Sequence, residues 1–144
     1  MRLAKNSWAY LAGFLDGDGS IYVQTKPNKT YRFGFQIAPI VSFFQSQKEK
    51  SKISGLRDFY DLGYLRERKD RIIEWIIGDE KSIREILIKT LPHLVLKKKQ
   101  AELMLQILDL KSQIKNREDF IFLAKKVELY RELNYSKKRK KRIY

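Results

Sequence analysis

Trp8-Ala9-Tyr10-Leu11-Ala12-Gly13-Phe14-Leu15-Asp16-Gly17-Asp18-Gly19-Ser20 is the stretch on which the rest of the chain hangs. Its first part is helical in pattern. Asn6 or Ser7 can cap the start, and apolar residues run to Leu15 without Pro or a β-branched residue. Ala9, Gly13 and Gly17 recur one turn apart on one face. Glycine costs a helix interior about 0.8–1 kcal/mol relative to alanine, so Gly13 needs a packing reason. Small residues at i, i+4 and i+8 let a second backbone approach closely. The helix then runs into Asp16-Gly17-Asp18-Gly19, which puts carboxylates at its negative pole. An anion there is disfavoured unless a cation binds. A close helix pair ending in acids therefore implies a shared metal site.

The whole chain bounds the alternatives. Its 144 residues suffice for one domain with a core. The expected layout is a domain over 1–135 and a basic tail over 136–144, Lys-Lys-Arg-Lys-Lys-Arg from Lys137 to Arg142. A 43% hydrophobic content with 8 Phe, 8 Tyr and 2 Trp argues against a disordered basic protein. No run of 18 apolar residues and no basic-then-apolar leader is present, so the expectation is an intracellular chain with no membrane partner. Zero Cys excludes disulfides, thiolate zinc sites and a cysteine nucleophile. The single histidine, His93 in Leu-Pro-His-Leu, reads as structural. A net charge of +14 points to a polyanion partner, since phosphate neutralisation supplies most sequence-independent nucleic-acid affinity. Charge names the partner class only.

Residues 20–26 alternate, with Ile21, Val23 and Thr25 opposite Ser20, Tyr22, Gln24 and Lys26. Pro27-Asn28-Lys29-Thr30 reads as a turn. Residues 31–44 alternate again, Phe33, Phe35, Ile37, Val41 and Phe43 forming the apolar side, with Pro39 marking an edge or bend. Residues 47–60 read as a helix. A second hairpin places Tyr64, Arg66 and Arg68 on one side of its first strand, and Ile73, Trp75 and Ile77 opposite Ile72, Glu74 and Ile76 in its second. Helices then follow from Asp79, from about Lys98 to Ile114, and from Arg117 to about Asn134. The order αββαββα plus C-terminal helices predicts an α+β fold, a four-stranded antiparallel sheet covered by helices on one face. The open face, rich in Gln, Lys, Arg and Tyr, suits base edges in a major groove. A strand of eight to ten residues spans ~30 Å, or about nine base pairs.

Leu11-Ala12-Gly13-Phe14-Leu15-Asp16-Gly17-Asp18-Gly19 resembles the signature of the LAGLIDADG homing endonucleases, and most closely the small single-motif type encoded in introns of organelles and archaea. The similarity extends through Lys26-Pro27-Asn28, Gly63-Tyr64-Leu65-Arg66 and Leu96-Lys97-Lys98-Lys99-Gln100-Ala101, and so covers roughly residues 8–110. An isolated Asp-Gly-Asp-Gly would read equally well as a turn. A calcium-loop reading fails, because EF-hand spacing needs acids where Phe14 and Thr25 stand.

The resemblance implies a site-specific endonuclease that hydrolyses both strands of a long near-palindromic DNA target, leaves short 3′ overhangs and promotes intron homing. The chain holds one motif and no internal repeat, so the implied assembly is a homodimer with Trp8, Ala9, Ala12, Gly13 and Asp16 at its interface. The implied cofactor is Mg²⁺, with Mn²⁺ substituting and Ca²⁺ binding without cleavage. By position, Asp18 and the Gly17 carbonyl are the metal ligands, Asp16 is structural, and Gln45 positions solvent, although Gln47 would face the same way. Lys97 steadies the water and phosphate network. Where related enzymes place a cation four residues after the Gln, this chain has Glu49, so Lys48 or Lys50 takes that role. The implied DNA-binding set is Gln24, Lys26, Asn28, Thr30, Tyr31, Arg32, Gln36, Ser42, Tyr64, Arg66, Arg68, Glu74, Ile76, Lys98 and Lys99. The expected compartment is an archaeal cytoplasm or an organelle interior. The rival readings are an RNA maturase, with intron RNA as partner, and a non-cleaving DNA-binding protein of the same fold.

Overall fold

A computed structural model describes residues 7–134, so the Asn6 cap and the basic tail lie outside the described residues. Helix α1 (Ser7–Asp18) leads into strands β1 (Gly19–Pro27) and β2 (Phe35–Ser46). A 3₁₀ turn at Gln47–Glu49 opens helix α2 (Lys50–Tyr60), followed by β3 (Tyr64–Glu67) and β4 (Ile72–Ile77). Helices α3 (Glu80–Thr90), α4 (Lys98–Ser112) and α5 (Arg117–Leu133) complete the order. The expected α+β architecture is present. The four strands form one antiparallel sheet in the order β1-β2-β4-β3.

The alternation read from the sequence sorts the two sheet faces. Ile21, Val23, Ile37, Val41, Phe43, Ile73, Trp75 and Ile77 are buried on the helix-covered side. Phe14, Phe43 and Trp75 stack in series, with ring centroids 4.9 and 4.8 Å apart, which ties α1 to the two central strands. Trp75 Nε1 donates to the Leu62 carbonyl at 2.7 Å, so the indole is buried with its one donor satisfied. Tyr130 of α5 donates its hydroxyl to the Ile21 carbonyl, and Arg131 donates to Thr25 Oγ1 at 2.8 Å. These contacts seat the last helix on the outer strand. Pro39 meets β1 only, because β2 pairs with β4 from Val41 onward. A residue without an N–H is thus tolerated where the neighbouring strand has ended.

Local chemistry fixes the ends. Asp79 caps α3 by accepting from the Ser82 N–H at 2.9 Å, and Asn116 caps α5 by accepting from the Asp119 N–H at 2.8 Å. Gly63 has a φ of 71°, and a Cβ there would lie 2.2 Å from the Ile76 carbonyl oxygen, so only glycine fits between α2 and β3. Two boundaries differ from the sequence reading. Residues 31–34 belong to the β1–β2 turn rather than to β2, closed by Asn28 N–H to Gly34 O and Gly34 N–H to Tyr31 O. The segment 47–60 starts as a 3₁₀ turn because Ser46 Oγ accepts from the Lys48 N–H.

Candidate active site and nucleic-acid interface

Helix α1 carries two different faces. Leu11, Ala12 and Leu15 are buried, whereas Gly13 and Gly17 are exposed with nothing within 4 Å of where a Cβ would sit. Ala9 and Tyr10 lie on the same outward side, Tyr10 half exposed. Trp8, Ala12 and Asp16, one turn apart, follow the inward side. Trp8 packs on Tyr60 with ring centroids 5.0 Å apart, under the Lys89 ammonium, and Ala12 is 0% exposed. The expected interface set is corrected accordingly. Ala12 has no surface to offer a partner, and Trp8 and Asp16 are engaged within the chain, which leaves Ala9, Tyr10, Gly13 and Gly17 as the free stripe.

The two acids of the motif part company. Asp16 accepts from the backbone N–H of Val95 at 2.8 Å and of Lys97 at 3.0 Å, and its own carbonyl accepts from Lys97 Nζ at 2.7 Å. This carboxylate ties the loop before α4 to the end of α1. The Lys97 ammonium sits on a last-turn carbonyl, where a cation offsets the negative end of the helix. Asp18 is exposed, and its carboxylate accepts from Gln45 Nε2 at 2.7 Å. Gly19, the next residue, must be glycine, since a Cβ would come within 2.8 Å of the Leu15 carbonyl oxygen. The chain therefore turns from helix to strand directly behind Asp18, and the carboxylate is left facing outward beside the end of β2.

That geometry separates the two glutamines. Gln45 reaches Asp18 from the strand, while Gln47 lies past its end and donates to the Arg68 carbonyl at 2.9 Å. It separates the two lysines as well. Lys50 Nζ pairs with Glu67, and Glu49 pairs with Lys52 at 3.0 Å, whereas Lys48 is exposed and its ammonium has no acidic partner among the described residues. Of the two candidates, Lys50 is committed elsewhere. His93 is exposed in the 3₁₀ turn at Leu91–His93.

Among the described residues, no group of three His, Cys, Asp or Glu side chains could hold a metal ion. Asp18 nonetheless suits a hard divalent cation: it is an exposed carboxylate beside the carbonyls of a helix C-terminus, all oxygen donors.

The uncovered face of the sheet is ordered by the strand register. Tyr22 stands opposite Ile40, Gln24 opposite Ala38, and Lys26 opposite Gln36. Ser20, Ser42, Ile76 and Tyr64 form a row across all four strands, and Arg66 stands opposite Glu74. Gln24, Lys26, Gln36, Tyr64, Arg66 and Arg68 thus share this face or its margin as expected, with Lys98 and Lys99 exposed at the start of α4. Three expected readers are corrected. Ser42 is 0% exposed, and Glu74 and Ile76 are 6% exposed, closed over by their neighbours. Burial and the nearby Glu74 carboxylate push the Tyr22 hydroxyl pKa up, so Tyr22 stays protonated over this cluster. In the turn, Asn28 spends its side chain on the N–H and hydroxyl of Thr30, at 3.0 and 2.6 Å. Arg32 lies 5.1 Å over the Phe33 ring, and Tyr31 is exposed. Glu67 and Asp70 carry ion pairs that sequence reasoning did not single out. Their signal was the alternation of acid and base in Arg66-Glu67-Arg68-Lys69-Asp70.

Residues 11–105 match the family model of the LAGLIDADG endonucleases. The chain is 36% identical over 132 residues to DNA endonuclease I-CreI of Chlamydomonas reinhardtii, covering 91% of this chain and 80% of that protein. It is 34% identical over 101 residues to DNA endonuclease I-CvuI of Chlorella vulgaris, covering 70% and 63%. The solved structure of I-CvuI bound to the I-CreI target superposes with a TM-score of 0.86 at 30% identity, over 92% of this chain and 85% of that one. The archaeal intron-encoded endonuclease I-Vdi141I, solved with DNA, superposes at 0.82 with 17% identity and so shares the fold. The chain belongs to the LAGLIDADG endonuclease family.

Proposed function

We propose that this protein is a site-specific homing endonuclease that cuts both strands of a long near-palindromic DNA as a homodimer with a divalent cation, to promote intron homing. The observation that carries the reading is the exposed Asp18 carboxylate at the end of α1, held by Gln45 and flanked by a glycine stripe open for close approach. With one motif per chain, a two-fold axis along that stripe would bring two Asp18 groups together. Paired carboxylates repel when both are ionised, and bridging cations relieve the repulsion. Mg²⁺ is the expected ion, held by Asp18 and the Gly17 carbonyl; when bound, it would activate water and stabilise the leaving oxygen. I-CvuI complexes solved with 2 mM Mg or 2 mM Ca support divalent-ion use in a relative.

Each remaining residue has a role that needs no movement of the fold. Gln45 fixes the Asp18 rotamer and can orient a water beside it. Lys97, drawn against the end of α1, adds positive charge where a scissile phosphate would lie. Two sheets joined by the dimer would track roughly 20 base pairs. The expected setting is an organelle interior or an archaeal cytoplasm.

The test is cleavage of a randomised near-palindromic duplex library with Mg²⁺, wild type beside Asp18→Asn. Discrete double-strand cuts at one enriched motif, with short 3′ overhangs and absent in the variant, are expected. Ca²⁺ should preserve binding without cuts. Tight binding with no cuts by either protein would replace this reading with a non-cleaving DNA-binding protein.

A further inference from the structure

The end of the second hairpin is unusual for a surface meant to meet phosphates. Arg68 is clasped from two sides. Its Nη2 lies 2.6 Å from Asp70 Oδ2, and its Nη1 lies 3.3 Å from the buried carboxylate of Glu74. Arg66 adds a second cation 3.8 Å from the same Glu74 oxygen. Two guanidinium groups thus share two carboxylates, and the cluster is close to neutral. A guanidinium has five N–H donors, and one contact on each terminal nitrogen leaves others free to point outward. The open concavity lined by Arg66, Glu67, Arg68, Lys69 and Asp70 leaves room for a ligand above them.

We propose that Asp70 is a specificity-determining residue: by neutralising Arg68 without exhausting its N–H donors, it turns a phosphate-seeking cation into a neutral hydrogen-bonding fork selective for a guanine edge. A backbone phosphate is drawn by net charge and is repelled by the carboxylate. The O6 and N7 acceptors of guanine carry no net charge and need only correctly aimed donors. Discrimination against the wrong ligand by a placed repulsive group is a general route to specificity. Glu74 anchors the same fork from beneath, but it is buried, so the half-exposed Asp70 is the group that faces incoming DNA. The inference rests on the proposed DNA-reading function and names what this corner of the sheet reads.

The experiment measures equilibrium binding in Ca²⁺, across a salt series, to two duplexes. One is the duplex enriched by wild type from the randomised library, and the other is a scrambled duplex of equal length. Asp70→Asn keeps size and turn propensity. It should raise scrambled-duplex affinity about three- to tenfold and steepen its log–log salt slope by roughly one unit per copy. Affinity for the selected duplex should change less than twofold, so the specificity ratio falls. Asp109→Asn makes the same charge change away from both hairpins, freeing Arg84 instead, and should leave the ratio within twofold of wild type. In an Arg68→Ala background, Asp70→Asn should no longer move the ratio. An unchanged or rising ratio with Asp70→Asn overturns the inference, as does an equal fall with Asp109→Asn. If wild type itself prefers no duplex, the DNA-reading function fails, and the inference falls with it for that separate and visible reason.

Discussion

The two hairpins of the sheet solve the same electrostatic problem in opposite ways. The first, residues 19–46, carries Lys26, Lys29 and Arg32 and not one Asp or Glu. Among the described residues, none of these cations has an acidic partner. The second, residues 64–77, sets Arg66, Arg68, Lys69 and Arg71 against Glu67, Asp70 and Glu74; it binds four of those charges, Arg66, Arg68, Asp70 and Glu74, into one network and pairs Glu67 with Lys50. Cations without an acidic partner, at the end of β1 and in the turn, suit phosphates, whose recognition is tolerant of geometry. Paired arginines held by carboxylates suit base edges, whose recognition depends on direction. On the proposed function, the contrast would assign net charge and sequence reading to different parts of one surface.

If that division holds, substitutions in the two hairpins should fail differently. The largest effect is expected from Arg68→Ala, which should cost about 1–3 kcal/mol of affinity for the selected duplex and little for a scrambled one. A uniform loss on both duplexes would erase the contrast. Glu74→Ala comes next. Removing the buried carboxylate leaves two arginines without their anchor and should lower folding stability by about 1–2 kcal/mol in urea titrations. It should also weaken binding to the selected duplex. Lys26→Ala with Lys29→Ala should act the other way round: the salt slope becomes shallower by about 0.9 per lost phosphate contact, with the specificity ratio unchanged.

The smallest effect on DNA is expected from a residue outside both hairpins. Asp79→Ala removes the α3 cap, costs about 1 kcal/mol of stability and should leave the specificity ratio untouched. Burial pushes the Asp79 carboxyl up, but hydrogen bonds from Ser82 outweigh it and hold the pKa below the ordinary 3.8. A depressed folded pKa stabilises above the unfolded value. The wild-type advantage over Asp79→Ala should therefore be full above about pH 4 and vanish as pH falls through the folded pKa, a trend chemical denaturation at several pH values would reveal.

Much of the fold was legible in the sequence. The αββαββα order, the helix-covered face of the sheet and the helix start at Asp79 follow from periodicity and capping chemistry, which act over a few residues; the Asn116 cap was not read from the sequence. Separate roles for Asp16 and Asp18 were only what the resemblance implied; in the structure Asp16 holds the backbone of Val95 and Lys97 while Asp18 stays exposed. Other choices were hidden for identifiable reasons. Gln45 and Gln47 are two residues apart, and a period of two cannot separate them. Only the end of β2 at Ser46, and the 3₁₀ turn beyond it, sends Gln47 to the Arg68 carbonyl. Lys48 and Lys50 were equivalent in composition until Glu67, seventeen positions on, took one of them.

What the sequence by itself determined is therefore local and periodic: a small-residue helix ending in acids, two alternating hairpins, a basic surface and one copy of the motif. What only the tertiary structure decided is orientation and partnership. Trp8, Ala12 and Asp16 turn inward while Ala9, Gly13 and Gly17 turn outward, because the apolar face of the sheet and the loop before α4 claim one side of α1. Ser42 and Glu74 sit on the reading face and yet are covered, because four strands brought side by side let large neighbours close over small ones. Such outcomes depend on residues far apart in the chain, and no local period encodes them.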